Sequence, residues 1–213
     1  MADTFYSMNP LAEVLEALPA EEIQHMRRVG RLVDCFARKL KFRGLSGECL
    51  DGSQYFGNAA FYHDIGKAWI PSGILAKSGK LTEQEFFLLR GHPLFAQRLF
   101  HQLRADHTSG MPDLLLQLAS DSAIYHHEWW DGGGYPYGFK HGAIPLIARV
   151  TAICDAYDAI TSDRVYRKRH SQEFACQELR QYAGTQFDPE LVKAFLAAGT
   201  DGTPFHDALC SRL

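Results

Sequence analysis

The chain has 213 residues, of which 46% are hydrophobic and 22% charged, with a formal net charge of −3 at pH 7. This length fits one large domain, or one domain with a small appendage, and the apolar share is ample for a core. The charge balance predicts no general attraction to nucleic acid polymers or membrane surfaces, and no apolar run approaches the ~20 residues needed to span a bilayer.

The cysteines (Cys35, Cys49, Cys154, Cys176 and Cys210) are odd in number and contain no C-x-x-C pair. That pattern points to reduced thiols rather than a disulfide frame or zinc knuckle. The N-terminus lacks the basic, apolar and small-residue order of a signal peptide, so a cytoplasmic location is expected.

Residues 1–20 read as a short lead-in helix, with Leu11, Val14, Leu15 and Leu18 on one stripe before Pro19. A stronger helix starts at Glu21, where Val29, Leu32, Val33, Phe36 and Leu40 recur at helical spacing. His25 lies one turn before Val29 and shares its buried side, while Glu21 and Glu22 lie four and three residues before His25. A lone histidine on an apolar stripe is ordinarily a core residue. This one gains weight from the matching histidines and carboxylates farther along the chain.

After a Gly- and Ser-rich connection, a helix over about Gln54–Ile65 runs into His63-Asp64-Ile65-Gly66-Lys67. Consecutive helix residues project about 100° apart, so His63 and Asp64 can reach a metal cluster lying between their directions. The carboxylate can then bridge two ions. Gly66 is expected to stop the helix and let Lys67 swing toward the same cavity. Thr82 and Glu85 form the pattern of a capping box, and His92-Pro93 interrupts the helical region before Leu94–Leu103 resumes it. The restricted backbone before a proline suits a fixed ligand and also an ordinary corner. His101 and His107 have no motif around them and are read as surface residues.

A buried helix over Leu114–Tyr125 delivers His126-His127-Glu128, and Asp131-Gly132-Gly133-Gly134-Tyr135-Pro136 comes after it. A helix from near Pro145 carries Leu146, Ile147, Val150, Ile153, Cys154 and Tyr157 on one side. Asp155 and Asp158 flank that stripe, where carboxylates are costly unless paired or metal-bound. Arg164, Arg167, Lys168 and Arg169 come next. Histidines, a glycine turn, carboxylates and then arginines describe a metal site followed by an anion site, which suggests metal-assisted chemistry on a phosphate ester. Two more helices complete the chain, Glu173–Tyr182 and one capped by Asp188 through about Ala198. The expectation is an all-α fold of about seven to nine helices around a polynuclear metal site. Its expected parts are a lead-in over 1–20, a domain over 21–198 and a tail over 199–213.

His25-Met26-Arg27-Arg28-Val29, His63-Asp64-Ile65-Gly66-Lys67, Gly91-His92-Pro93, His126-His127-Glu128, Gly134-Tyr135-Pro136 and Asp155-Ala156-Tyr157-Asp158 occur in a set order. This ordered set resembles the HD-GYP family, a branch of the HD-domain metal-dependent phosphohydrolases, and the resemblance runs from about Glu21 to Ala198. It implies an HD-domain helical bundle and hydrolysis of cyclic di-GMP to pGpG or GMP. It implies His25, His63, Asp64, His92, His126, His127 and Asp155 as metal ligands, with Asp64 bridging. Glu21, one turn before the first histidine, is the expected further ligand of a three-ion form, and Glu22 is its rival. Two or three divalent ions are implied, with iron or manganese favoured by the imidazole and carboxylate donors, although ligand softness alone leaves zinc open.

Asp64 and Lys67 are the expected catalytic residues. Lys67, Arg164 and Arg167 match phosphate contacts, Tyr135 and Pro136 shape the substrate-facing loop, and Asp158 either orients a ligand, relays a proton or pairs with Arg164. Glu128 and Asp131 are expected to support His126 or His127. The expected reaction is attack of a metal-bridging hydroxide on phosphorus, with the cationic residues offsetting phosphoryl charge. The alternatives are hydrolysis of another cyclic dinucleotide or nucleotide, or a non-enzymatic cyclic di-GMP receptor. The Gly134-Tyr135-Pro136 loop is also a possible docking point for a protein partner. No receiver or sensor domain is visible, so control is expected from partners or from the N-terminal segment.

Overall fold

The structure, a computed structural model, describes residues 10–42, 52–163 and 169–198, with the side chains of residues 41 and 42 left out. It is helical throughout, and no strand occurs among the described residues beyond an isolated bridge between Ala183 and Phe187. No helix among them is long and apolar enough to cross a membrane.

Helix α1 (Pro10–Glu16) and the turn after it bury Leu11 and Leu18 in the same core as the rest of the chain. Helix α2 (Ala20–Phe42) buries Val29, Leu32, Val33, Phe36 and Leu40, the stripe legible in the sequence, together with Met26 and Ala37. Helix α3 (Phe56–Phe61) crosses α2 closely enough that a Cβ on Gly57 would stand 2.6 Å from the Cβ of Asp34. Two glycines, Gly30 and Gly57, make that approach possible, and it fixes the chain from which the first ligands emerge.

The long helix expected over Gln54–Ile65 is divided. A 3-10 turn at Ser53–Tyr55 precedes α3, and a second 3-10 segment, Ile65–Trp69, comes after it. Gly66 lies inside the second segment and does not act as a helix stop. A Cβ there would lie 1.9 Å from the His92 carbonyl oxygen and 2.9 Å from the Ala96 amide nitrogen. The segment packs backbone to backbone against the next histidine-bearing helix, and any side chain would prise them apart. Gly66→Ala is expected to cost about 3 kcal/mol of stability, since the obstruction is backbone and cannot swing away. A urea-unfolding midpoint equal to that of the wild type would contradict this close contact.

Helix α4 (Ser72–Leu75) is a single turn, and α5 (Glu83–Leu89) begins with the expected box: Glu85 N–H donates to Thr82 Oγ1 at 3.2 Å, and Thr82 N–H to Glu85 Oε2 at 2.7 Å. Pro93 does not interrupt a helix; it lies in the first turn of α6 (His92–Ala105), where its missing N–H costs nothing. Helices α7 (Asp113–Tyr125) and α8 (Leu146–Thr161) complete the centre. Helices α2, α3, α7 and α8 pack on one another, with α6 beyond α7. Helices α9 (Gln172–Gln181) and α10 (Pro189–Ala198) cover α8. Asp188 caps α10 by accepting from Glu190 and Leu191 N–H, and its buried carboxylate also pairs with Arg149 at 2.8 Å.

Candidate metal centre

Seven side chains converge from four of these helices and a turn. His25 comes from α2, His63 and Asp64 from the turn after α3, His92 from the start of α6, His126 and His127 from the end of α7, and Asp155 from α8. Three of the imidazoles are oriented by the carbonyl one turn earlier. His63 Nδ1 donates to Ala60 O at 2.9 Å, His92 Nδ1 to Leu89 O at 2.7 Å and His126 Nδ1 to Ser122 O at 3.0 Å. Each bond places the proton on Nδ1 and leaves the Nε2 lone pair facing inward, the arrangement typical of metal-binding histidines.

Those three Nε2 atoms and Asp64 Oδ1 are buried without a hydrogen-bond partner among the described residues. A buried polar atom left unsatisfied costs ~1–3 kcal/mol, so four together demand a ligand. The donors fall into three groups, each with its atoms within 4.8 Å of one another: Asp64, His92, His126 and His127; His25, His63 and Asp64; and His63, His126 and Asp155. Asp64 belongs to two groups, with Oδ1 3.3 Å from His92 Nε2 and Oδ2 3.1 Å from His63 Nε2. Its two oxygens thus face different histidines, as a bridging carboxylate requires. The residues fit a polynuclear divalent-metal site.

The charge states agree. Burial, reinforced by the neighbouring imidazole of His63, pushes His126 down to about 3, and burial also lowers His92 and His127. These rings are therefore neutral donors at pH 7. Burial works to raise Asp64, but the Lys67 ammonium and His63 outweigh it and hold the carboxylate well below its usual range. Asp155 is likewise held low against burial, chiefly by His25.

Asp158 turns to His25 and Arg28. It is buried, and both its oxygens are committed: Oδ2 lies 2.7 Å from His25 Nδ1 and accepts from Arg28 Nη2 at 3.0 Å, while Oδ1 accepts from Arg28 Nε at 2.7 Å and from Ser162 Oγ at 3.0 Å. A carboxylate so occupied orients His25. Arg28, which no sequence motif singled out for a role, clamps it; its spacing of three from His25 was the available signal. Glu21 is exposed, and the structure does not bring it to the cluster. Glu22 is the glutamate that turns inward. Both its oxygens lie 3.1 Å from Lys67 Nζ, which is itself 2.7 Å from Asp64 Oδ2. Arg164 and Arg167 lie outside the described residues.

The glycine-rich loop is built differently from expectation. Glu128 supports neither His126 nor His127; it is buried and accepts the Tyr137 and Phe139 N–H groups at 2.7 and 3.0 Å, pinning the loop. Asp131 accepts from Gly133 N–H within the turn. Gly134 is required because a Cβ would lie 2.2 Å from the Trp129 nitrogen and 2.4 Å from the His127 carbonyl oxygen. The loop thereby brings Tyr135 face to face with His127, ring centroids 4.7 Å apart, while half-buried Pro136 comes after a cis peptide bond.

A ligand that binds only the folded state stabilises it by about 2.7 kcal/mol at a hundredfold excess over its dissociation constant. Chelation of the metal-loaded protein is therefore expected to lower the thermal midpoint by roughly 5–10 °C, reversibly. A midpoint unmoved by chelation and metal return would contradict the site.

Comparison with known proteins agrees with this geometry. A family model described as HD domain matches residues 10–191. A cyclic di-GMP phosphodiesterase of Thermotoga maritima is 37% identical over 193 residues, covering 87% of this chain and 49% of that protein. A 3'3'-cGAMP-specific phosphodiesterase of Vibrio cholerae is 33% identical over 186 residues, covering 87% of this chain and 33% of that protein. Among solved structures, an HDG"Y"P protein from Bdellovibrio bacteriovorus matches with a TM-score of 0.59 at 16% identity, covering 87% of this chain and 55% of that one. The chain spans about a third to a half of the length of the curated relatives it matches.

Proposed function

Because the chain belongs to the HD-domain family and carries the HD-GYP pattern, we propose that it is a metal-dependent phosphodiesterase acting on cyclic di-GMP. The observation that carries the reading is the set of donor side chains that meets from four helices and a turn, four of whose buried donor atoms have no hydrogen-bond partner among the described residues. His25, His63, Asp64, His92, His126, His127 and Asp155 hold the ions, two or three in number, with iron or manganese favoured by the nitrogen and oxygen donors. Glu22, rather than Glu21, stands where a further carboxylate could enter. Divalent ions bound there supply Lewis acidity toward a phosphodiester and lower the pKa of water.

The chain's own groups supply the rest. Burial opposes the charge on Lys67, yet Asp64 and Glu22 raise its pKa above the ordinary value, so it stays cationic beside the metal ligands. It is placed to offset charge developing on phosphoryl oxygens. Tyr135 and Pro136 wall the substrate side of the site, and Arg164 and Arg167 are further phosphate contacts in this reading. The outward rings of the loop, Tyr137 at 46% and Phe139 at 38% exposure, are the groups a protein partner would meet. The described cysteines, Cys35, Cys154 and Cys176, are free, which fits a cytoplasmic setting.

The test is incubation of anaerobically purified, metal-loaded protein with cyclic di-GMP and 3'3'-cGAMP, resolving pGpG and GMP as products. Faster turnover of cyclic di-GMP is expected. Preference for 3'3'-cGAMP would shift the assignment to the activity for which the Vibrio cholerae relative is named, and turnover of neither by fully loaded protein would refute it.

A further inference from the structure

Arg90 ends α5 two residues before His92, so the segment that delivers a metal ligand also delivers a guanidinium. That guanidinium carbon lies 4.3 Å from the centroid of the Tyr135 ring and 5.9 Å from that of Phe86. Tyr135 in turn stacks on His127. One aromatic ring therefore separates Arg90 from the metal centre. Arg90 is exposed, and no carboxylate pairs with it among the described residues.

A guanidinium resting on an aromatic face still presents its in-plane fork of N–H donors to a further acceptor. What surrounds it indicates which acceptor. Phe86 is 52% exposed, and Phe95, whose ring lies against Gly91, neighbours Trp69, 47% exposed. Flat exposed rings beside a guanidinium form a surface for stacking a nucleobase rather than for holding a phosphate. The phosphate has its own cation in Lys67, which is seated on the metal ligands.

Resting on the cyclic dinucleotide function proposed for this site, we propose that Arg90 reads the guanine of the substrate, its N–H fork donating to O6 and N7. Adenine keeps N7 but presents an amino donor in place of O6, so the same fork meets a donor and one bond is lost. Arg90 is then a specificity-determining residue, held in place by Tyr135.

The experiment compares wild type, Arg90→Ala and Arg90→Lys by the KM and kcat for cyclic di-GMP and the inhibition constant of cyclic di-AMP as competitor. Metal content and thermal midpoint are read on the same preparations. Both variants are expected to raise KM for cyclic di-GMP roughly ten- to a hundredfold, with kcat far less affected and cyclic di-AMP, which keeps only the N7 bond, weakened much less. Lysine does not rescue, because it keeps the charge without the fork. Metal content and midpoint stay at wild type. An unchanged KM overturns the proposal. So does a parallel weakening of both ligands that lysine restores, which would make Arg90 a phosphate contact, and so does loss of metal from either variant. A wild type that turns over no cyclic di-GMP overturns the function itself and the inference with it.

Discussion

Asp64→Ala is expected to reduce turnover of cyclic di-GMP by about a thousandfold or more, the rate equivalent of the several kcal/mol that a metal ion contributes to transition-state charge stabilisation. Among the described residues Asp64 is the carboxylate shared by two of the three donor groups, and its oxygens face different histidines. Its removal therefore takes a donor from two groups at once instead of weakening one bond. The fold should survive, because Lys67 keeps Glu22 as a partner when Asp64 is gone. Asp64→Asn separates charge from shape: it preserves volume but offers one neutral oxygen, and its activity should remain close to that of the alanine variant. Measured kcat and bound metal should fall together in both, with near-wild-type circular dichroism. Undiminished turnover would contradict the assigned role.

The second large effect is expected at Asp158. Asp158→Ala removes the acceptor that orients His25 and leaves the Arg28 guanidinium without its bidentate partner. Loss of such an outer partner typically costs 10- to 100-fold in metal affinity or activity, and that range is expected here. Arg28 is partly exposed, so water compensates it and the accompanying loss of stability should stay near ~1 kcal/mol. Arg28→Lys should fall between wild type and Asp158→Ala, since lysine keeps the charge without the two-pronged grip. The diagnostic is a titration of metal against activity: excess metal should restore much of the rate of Asp158→Ala. A raised KM with unchanged metal affinity would instead return Asp158 to the substrate-binding side.

Much of the helical pattern could be read from the sequence because it rests on local chemistry, and the seven metal-site candidates because their motifs resemble those of a known family. The α2 stripe, the Thr82–Glu85 box and the Asp188 cap are patterns a few residues wide, and the structure holds all three. The candidate ligands came from ordered short motifs, and His63, His92, His126, His127, Asp64, Asp155 and His25 do meet. What stayed hidden depends on contacts between distant segments. Asp158 and His25 are 133 residues apart, so nothing near Asp158 distinguishes an orienting carboxylate from a substrate contact. Glu21 and Glu22 both lie one turn before His25, and helical spacing alone does not decide between them; the position of Lys67 brings Glu22 inward. Gly66 looked like a helix stop because glycine often is one, while its actual constraint, the His92 carbonyl, belongs to another helix. Glu128 sits beside the histidines in sequence yet turns to the amides of Tyr137 and Phe139.

The most direct test of the metal centre is titration of chelated, metal-free protein with iron(II) or manganese(II) under anaerobic conditions, tracking bound metal and cyclic di-GMP turnover on the same sample. Activity is expected to be absent at the start, to rise with occupancy and to level off at two or three ions per chain. Turnover that persists in the metal-free protein, or saturation of the sites with no turnover, would contradict the account.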